Sequence, residues 1–370
     1  MAQTDTDEVM DFTIIGDLRS DYDRWLADGF REVMIRNGHQ YREEPRPDIR
    51  VVFNFTDHLS PRAYRRKAQA TFVLGVATVD AWPDDVLKTG YTMLVRSLSN
   101  MVILVVRAEG KLHAHFVTLE GGCYPVVHAE GAEDDFFGRM YQRLAPLASS
   151  HLVINNEFHP DLPPELWNGD EITEQIYRAS LKLDALHLLP AMWPLQDLLD
   201  PRDFEHVRRL YGIGGLSHGN VSARKDATRF WMSASGVKKS ELRQPGTQVL
   251  LVKGYDRERS VMLLSVPPNV QPRRVSVDAI EHWMIYTQHP GVGAIVHVHA
   301  WIDGIPSTDV NYPCGTRELA TAVADLVRQA PDPNRAIVGL KDHGMTITGP
   351  SLDDIFERIE GRVTTQVPMT

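Results

Sequence analysis

The chain has 370 residues, a formal charge of −10, 43% apolar residues and 24% charged residues. This length suffices for two domains, since single hydrophobic cores usually stop growing near about 250–300 residues. The acidic balance argues against a nucleic-acid partner. The sequence has no uninterrupted run of about 18 apolar residues, the length that a helix needs to span a bilayer. Two cysteines are too few for a disulfide framework, and the acidic start of the chain lacks the order of an export signal. We therefore expect a cytoplasmic protein with free thiols.

The first half of the chain alternates strand-like and helix-like segments. Five segments rich in β-branched or aromatic residues predict strands: DFTIIGD, IRVVFNF, ATFVLGVATV, NMVILVVRA and KLHAHFVTLE. Three segments with apolar residues spaced three and four apart predict amphipathic helices: YDRWLADGFREVMIRNG, PDDVLKTGYTMLVRSL and DDFFGRMYQRLAPL. The residues from Arg107 to Lys111 predict a hairpin turn. Residues 1–155 are therefore expected to form a partly antiparallel α/β domain, of unknown role.

Residues 156–195 differ from both flanking regions. The stretch is Pro-rich and polar, with one helical segment, EITEQIYRASLKLDALHLL, between prolines that would break a longer helix. It predicts a linker with a helix. Residues 196–370 then form a second domain, which the pattern predicts to begin with a helix, a Gly-rich turn and strands.

Two Gly-containing turns invite a binding interpretation. The segment RRLYGIGGLSHGNVSAR runs from helix to strand, the reverse of a dinucleotide-binding loop, so nucleotide binding is not favoured there. Ser235 and Gly236 follow the second strand of this domain. Their backbone amides could bind an anion, or they could simply form a tight turn.

Histidines carry the strongest chemical signal. On the apolar strand GAIVHVHA, His297 and His299 share one face, as ordinary hydrogen-bonded histidines or as metal ligands. His343 precedes Gly344 at the end of another apolar strand, where glycine allows a sharp backbone path. Three histidines suit a catalytic metal because they leave a coordination position open. Asp278 begins a helix, as an N-cap, as a carboxylate facing the metal, or as both.

A second alternating pair, His113 and His115, lies in KLHAHF. It has no evident third ligand and no adjacent Gly turn. We interpret that pair as structural or as surface residues.

In this order, GLSHGNVSAR, MSASG, IYTQHPGVGAIVHVHA, CGTRELATAVADLV and GLKDHGMTITGPSLDDIFERIE resemble the class II aldolase/adducin family over about residues 196–370. The resemblance implies an α/β/α domain, a homo-oligomer (tetramer or dimer), a small-molecule substrate and a divalent metal, Zn²⁺ before Fe²⁺ or Mn²⁺. It also implies metal ligands and substrate-binding residues: His297, His299 and His343 for the metal, and Asn220, Ser235, Gly236 and Ser276 for the substrate. Nothing familiar covers residues 1 to about 190.

The chain departs from the family pattern in two places. It has Ser276-Val277-Asp278 where family enzymes commonly have Ser-Ser-Glu, and Asp is one methylene shorter than Glu. The acid/base residue is therefore Asp278 or, three residues on, Glu281. The segment from 301 to 316 is also shorter than the helix and loop usual in the family, which predicts a compact loop.

Three functions follow as hypotheses. The first is a metal-dependent lyase that cleaves or forms a C–C bond, or performs a related enolisation, on a small oxygenated carbonyl substrate. The second is a non-haem Fe(II) oxygenase that uses the same three histidines. The third is a non-catalytic, adducin-like assembly module, which the retained histidines disfavour.

Overall fold

A computed structural model describes residues 9–67, 71–118, 123–186, 198–205, 219–237, 239–365 and 367–368. The chain forms two compact units, one of Met1–Ser149 with Leu195–Glu205 and one of Ser150–Pro194 with His206–Pro368. The region 156–195 was predicted as a linker with a helix, and its residues 156–185 contribute a strand and a helix to the second unit.

The first unit contains a seven-stranded sheet in the order β2-β1-β3-β4-β5-β6-β7. The strands are β1 (Asp11–Gly16), β2 (Gln40–Tyr41), β3 (Val51–Phe55), β4 (Phe72–Val79), β5 (Met101–Ala108), β6 (Lys111–Thr118) and β7 (Cys123–His128). The pairs from β2 to β5 are parallel, and β5–β6 and β6–β7 are antiparallel. The five predicted strands are present, and the partly antiparallel α/β class is confirmed. Glu109 and Gly110 both have positive φ, as a two-residue hairpin loop requires.

Helices α1 (Asp21–Arg36), α2 (Val86–Arg96) and α3 (Glu133–Ser149) accompany this sheet. Ser20 caps α1 in a reciprocal capping box with Asp23. The buried face of α1 packs with the sheet and α3 around aromatic side chains, among them Phe30, Phe53 and Phe137. The first unit therefore has its own hydrophobic core.

The second unit contains an eight-stranded sheet in the order β14-β15-β13-β9-β10-β11-β12-β8. Its strands are β8 (Asn155–His159), β9 (Asn220–Arg224), β10 (Phe230–Ser233), β11 (Val249–Asp256), β12 (Val261–Ser265), β13 (Ala294–Val298), β14 (Ile337–Leu340) and β15 (Gly344–Gly349). All neighbours are antiparallel except β12 and β8. The predicted Gly-x-Gly-Gly turn at 212–215 lies outside the described residues.

Helices cover both faces of this sheet: α4 (Glu171–Ala185), α5 (Ala279–Gln288), α6 (Arg317–Gln329) and α7 (Leu352–Ile359). Helices α4 and α7 contact each other and strands β9, β13 and β15, whereas α5 packs against α6. On the first face, Ile355 of α7 lies against Gly349, the cross-strand partner of Ala294. Side chains of α5 contact the opposite face, which carries His297. The second unit is thus an α/β/α sandwich, as the family resemblance implies.

Among the described residues, no helix is both long enough and apolar enough to cross a membrane.

Candidate metal centre

His297 lies in the middle of the second sheet. In the strand register its partners are Asn220 of β9 and Thr346 of β15. Residues directly opposite in antiparallel strands share a face, so Asn220 and Thr346 flank the imidazole on both sides. All three side chains are buried. The sheet therefore places one histidine between two polar side chains on the face covered by α5.

The three predicted ligand histidines converge. Candidate ligand atoms of His297, His299 and His343 all lie within 4.8 Å of one another. Nε2 of His299 is 3.0 Å from Nε2 of His343, and the three rings meet edge-to-face. Tetrahedral zinc with Zn–N bonds near 2.0–2.1 Å separates its ligand nitrogens by about 3.3 Å. The three histidines therefore fit a divalent metal. Among the described residues, no other group of three His, Cys, Asp or Glu side chains is close enough to share an ion.

His343 reaches this site through an unusual turn. Asp342 has φ +56°, in the left-handed region that residues other than glycine rarely adopt. Gly344, predicted to supply the sharp path, does not have positive φ. A Cβ at Gly344 would lie 2.3 Å from the carbonyl oxygen of Val298 and 3.1 Å from Cα of His299. Glycine is needed there because β15 approaches the end of β13 closely, and the turn itself is made by Asp342.

Thr346 connects His297 to a buried carboxyl group. Its hydroxyl donates to Oε1 of Glu281 over 2.6 Å, and its oxygen is 3.3 Å from Nδ1 of His297. Burial, and then the charge of Asp278, raise the pKa of Glu281 to about 8, while the bond from Thr346 opposes this shift. Glu281, the alternative acid/base residue, therefore lies behind His297 and contacts it through Thr346.

Asp278 occupies the N-cap position of α5, but its side chain caps no backbone amide. Its Oδ2 instead accepts a 2.7 Å hydrogen bond from Nδ2 of Asn220, the cross-strand neighbour of His297. The predicted capping role is therefore wrong for the side chain. The carboxylate is held by Asn220, on the face of the sheet that carries His297, and its role toward a metal stays a prediction.

Ser222 follows Asn220 by two residues on β9, so its side chain points to the same face of the sheet and there joins a polar network with α5. Oγ of Ser222 is 2.7 Å from Nδ1 of His282 and 2.9 Å from the hydroxyl of Tyr286. Burial, and then the neighbouring His297, lower the pKa of His282 well below its ordinary value. His282 is therefore neutral near pH 7. These bonds anchor α5 on the strand that carries Asn220.

The remaining predicted substrate residues lie next to this helix. Ser235 and Gly236 follow β10, where Gly236 has φ +64°. The amide of Ser235 donates to the carbonyl of Arg274, and that of Ser276 donates to the carbonyl of Ser233. Of the two amides that the sequence suggested for an anion, that of Ser235 is therefore used within the fold.

The competing pair His113 and His115 lies on β6 of the first unit. The rings stack 6.5 Å apart beneath Trp82, and Sγ of Cys123 is 3.9 Å from Nδ1 of His115. Burial lowers the pKa of His115. Among the described residues, no third ligand joins this pair in a metal-sized set. The structural interpretation agrees with this packing.

Sequence reasoning did not single out Thr346 or Cys314 as site residues. Thr346 follows His343 by three positions, and alternation along β15 would place it on one face, but only the register identifies His297 as its partner. Cys314 has no local pattern that relates it to His343.

Comparison with known proteins gives a match in the second unit. Residues 206–302 match the family model described as the Class II Aldolase and Adducin N-terminal domain. Methylthioribulose-1-phosphate dehydratases from two strains of Leptospira biflexa serovar Patoc are each 29% identical over 112 residues. The aligned part is 30% of this chain and 49% of each relative, so the chain spans about half the length of these relatives.

Solved structures overlap at lower identity. YgbL from Klebsiella pneumoniae is 16% identical, with 51% of this chain and 84% of that chain covered and a TM-score of 0.34. An aldolase II superfamily protein from Pseudomonas syringae is 14% identical, with 54% and 73% covered and a TM-score of 0.35. The match to the class II aldolase/adducin N-terminal domain thus includes His297 and His299, whereas His343 lies beyond the matched residues 206–302.

Proposed function

We propose that this protein is a divalent-metal-dependent lyase that acts on a small oxygenated carbonyl substrate. The reaction would be aldolase-type C–C cleavage or formation, or a related enolisation. The observation that carries the proposal is the convergence of three imidazoles beside a carboxylate held by Asn220. The Leptospira relatives support the same class, since they are named as dehydratases and a dehydratase is a lyase.

The metal would be held by His297, His299 and His343, with Zn²⁺ as the first candidate. When bound, such a cation supplies Lewis acidity, which polarises a carbonyl and stabilises negative charge on its oxygen. Thr346 orients His297: its proton goes to Glu281, so its oxygen can accept the Nδ1–H of the imidazole. That arrangement leaves Nε2 of His297 as the ligand atom.

Asp278 is the proposed acid/base residue. Its carboxylate would take the proton from the carbon next to the substrate carbonyl and return it later in the reaction. Asn220 holds this carboxylate through a 2.7 Å bond, while Oδ1 of Asn220 has no hydrogen-bond partner in the described part of the protein. That oxygen can accept a bond from a substrate hydroxyl. Glu281 accepts the hydrogen bond from Thr346 and so positions His297 through that threonine.

Metal content tests the proposal. Elemental mass spectrometry is applied to the wild type, to the double variant His297→Ala, His299→Ala, and to the matched control His113→Ala, His115→Ala, all purified without chelator. We expect close to one zinc or manganese per chain in the wild type and control, and loss of the metal in the first variant. Equal metal content in all three proteins, including none, would refute the site.

Iron as the native metal would instead favour an oxygenase on the same histidines, and oxygen consumption that depends on added iron would establish it. Turnover is assayed as exchange of carbon-bound hydrogen in D₂O, followed by NMR on a panel of small hydroxycarbonyl compounds. The homo-oligomeric state stays a prediction.

A further inference from the structure

Cys314 lies beside the three histidines at the end of the loop that runs from 301 to 316. Its Sγ is 3.2 Å from Nε2 and 3.5 Å from Nδ1 of His343. That Nε2 is also the atom 3.0 Å from Nε2 of His299. The sulfur is therefore nearly equidistant from the two ring nitrogens and contacts the nitrogen that faces His299, and the half-buried thiol is not part of a disulfide in the described structure.

The backbone on either side of Cys314 is held firmly. The carbonyl of Gly315 accepts a 2.7 Å bond from the amide of Val153, and φ of Gly315 is +72°. The hydroxyl of Thr316 donates to the carbonyl of Pro313 over 2.7 Å and accepts from the first turn of α6. Movement of the sulfur is therefore mainly rotation about the Cα–Cβ bond, within reach of His343.

The separation suits shared coordination. Tetrahedral zinc with Zn–N near 2.0–2.1 Å and Zn–S near 2.3 Å separates a ligand nitrogen from a ligand sulfur by about 3.6 Å. The contact with His343 is already close to that value. The set of atoms within 4.8 Å of one another consists of the three histidines, so Cys314 approaches from the His343 side.

We propose that Cys314 supplies a sulfur ligand to the metal held by His297, His299 and His343, an inference that rests on the proposed metal site. On coordination the thiol releases its proton to water. A thiolate favours zinc or another borderline or soft cation over magnesium or calcium. It fills the position that three histidines leave open, so a substrate must displace the sulfur or enlarge the coordination sphere.

Cobalt(II) is the probe, because a thiolate bound to it gives a charge-transfer band in the near ultraviolet that imidazole ligands do not give. Metal-free wild type, Cys314→Ser and the control Cys123→Ser are titrated with cobalt(II) and then with zinc in competition. We expect the sulfur band in the wild type and in Cys123→Ser. In Cys314→Ser the band is lost, cobalt still binds, and affinity falls about 10-fold or more.

Alkylation by iodoacetamide gives a second readout that does not depend on activity. Burial and the nearby Asp85 raise the pKa of Cys123 to about 11, so that thiol reacts slowly near neutral pH. In Cys123→Ser the single thiol is Cys314. We expect bound zinc to slow its alkylation at least 10-fold, and no such protection when the variant also carries His297→Ala and His299→Ala.

The outcomes separate the two proposals. Identical nitrogen-only cobalt spectra for the wild type and Cys314→Ser, with no protection by zinc, would overturn the sulfur ligand and leave the histidine site standing. The contact would then be an S–H···N hydrogen bond to His343. Failure of all variants to bind cobalt would overturn the metal site and the sulfur ligand together.

Discussion

Thr346 donates a 2.6 Å hydrogen bond to Oε1 of Glu281, and both side chains are almost fully buried. The hydroxyl has one proton, which this bond uses, so its oxygen is free to accept from Nδ1 of His297 at 3.3 Å. This arrangement favours the tautomer of His297 that carries its proton on Nδ1. Replacing such a partner of a metal-ligating histidine typically lowers metal affinity or activity by about 10–100-fold.

The variant Thr346→Val tests this connection. Valine keeps the shape but removes the acceptor for His297 and the donor for Glu281, so zinc affinity should fall about 10–100-fold. Stability should fall by about 1–3 kcal/mol, because a buried polar group loses its partner. Competition with a chromophoric chelator and urea unfolding measure the two effects.

The matched control is Thr348→Val on the same strand. Thr348 bonds to the loop at Pro333 and Ala336 and has no bond to a histidine in the described structure. It should lose stability at unchanged zinc affinity. Equal affinity in both variants would show that Thr346 does not orient His297.

Replacement of Asp278 by Asn tests the proposed proton transfer. Asparagine can still accept the bond from Asn220 but cannot take a proton, so we expect turnover to fall about 10²–10⁴-fold at unchanged metal content. Deuterium exchange into the substrate, measured by NMR, should fall in parallel. Exchange at the wild-type rate would remove Asp278 from the mechanism.

The raised pKa of Glu281 predicts that the stability of the folded protein depends on pH. The pKa of this carboxyl group is raised in the folded protein to about 8 from an ordinary 4.5, so the folded state binds the proton more tightly than the unfolded state. The resulting stabilisation is fully present below about pH 4.5 and is lost as pH rises toward 8, by at most about 1.4 kcal/mol per pH unit. Its sign is opposite to that of a salt-bridged carboxylate.

The variant Glu281→Gln removes this titration. Urea unfolding of metal-free protein should show a flatter decline of the unfolding free energy between about pH 5 and pH 8, so that the variant gains on the wild type as pH rises. The exposed Glu357→Gln on α7 is the control and should keep the wild-type slope. Parallel curves for the wild type and Glu281→Gln would contradict the raised pKa.

Gly344→Ala tests the close approach of β15 to β13. The added Cβ would lie 2.3 Å from the carbonyl oxygen of Val298, so the strands must separate where His299 and His343 are anchored. We expect a loss of about 1–3 kcal/mol and weaker cobalt binding. Gly138→Ala on α3 meets no atom within 4 Å and should be neutral or slightly stabilising. Similar cobalt affinities for the two variants would mean that this contact does not position the ligands.

Local patterns were sufficient for much of the fold. Alternation and β-branched residues marked the five predicted strands of the first unit, because a strand with a buried face carries that signature wherever it pairs. The two-residue strand β2 and the strand β7 were not predicted. The strand Asn155–His159 was not predicted because the segment is polar. It becomes a strand by pairing in parallel with β12 at the edge of the sheet.

The sequence by itself determined the α/β class and the identity of the three histidines, since two alternate along one buried strand and the third follows the end of another. Tertiary structure decided what surrounds them. The strand register places Thr346 and Asn220 beside His297. The carboxylate of Asp278 bonds to Asn220 and does not cap the helix, the role that local propensity would favour. The path of a compact loop brought Cys314 to His343. These contacts join residues far apart in the chain, such as Glu281 and Thr346 at 65 positions. Their energies therefore depend on strand pairing and helix packing that no local pattern encodes.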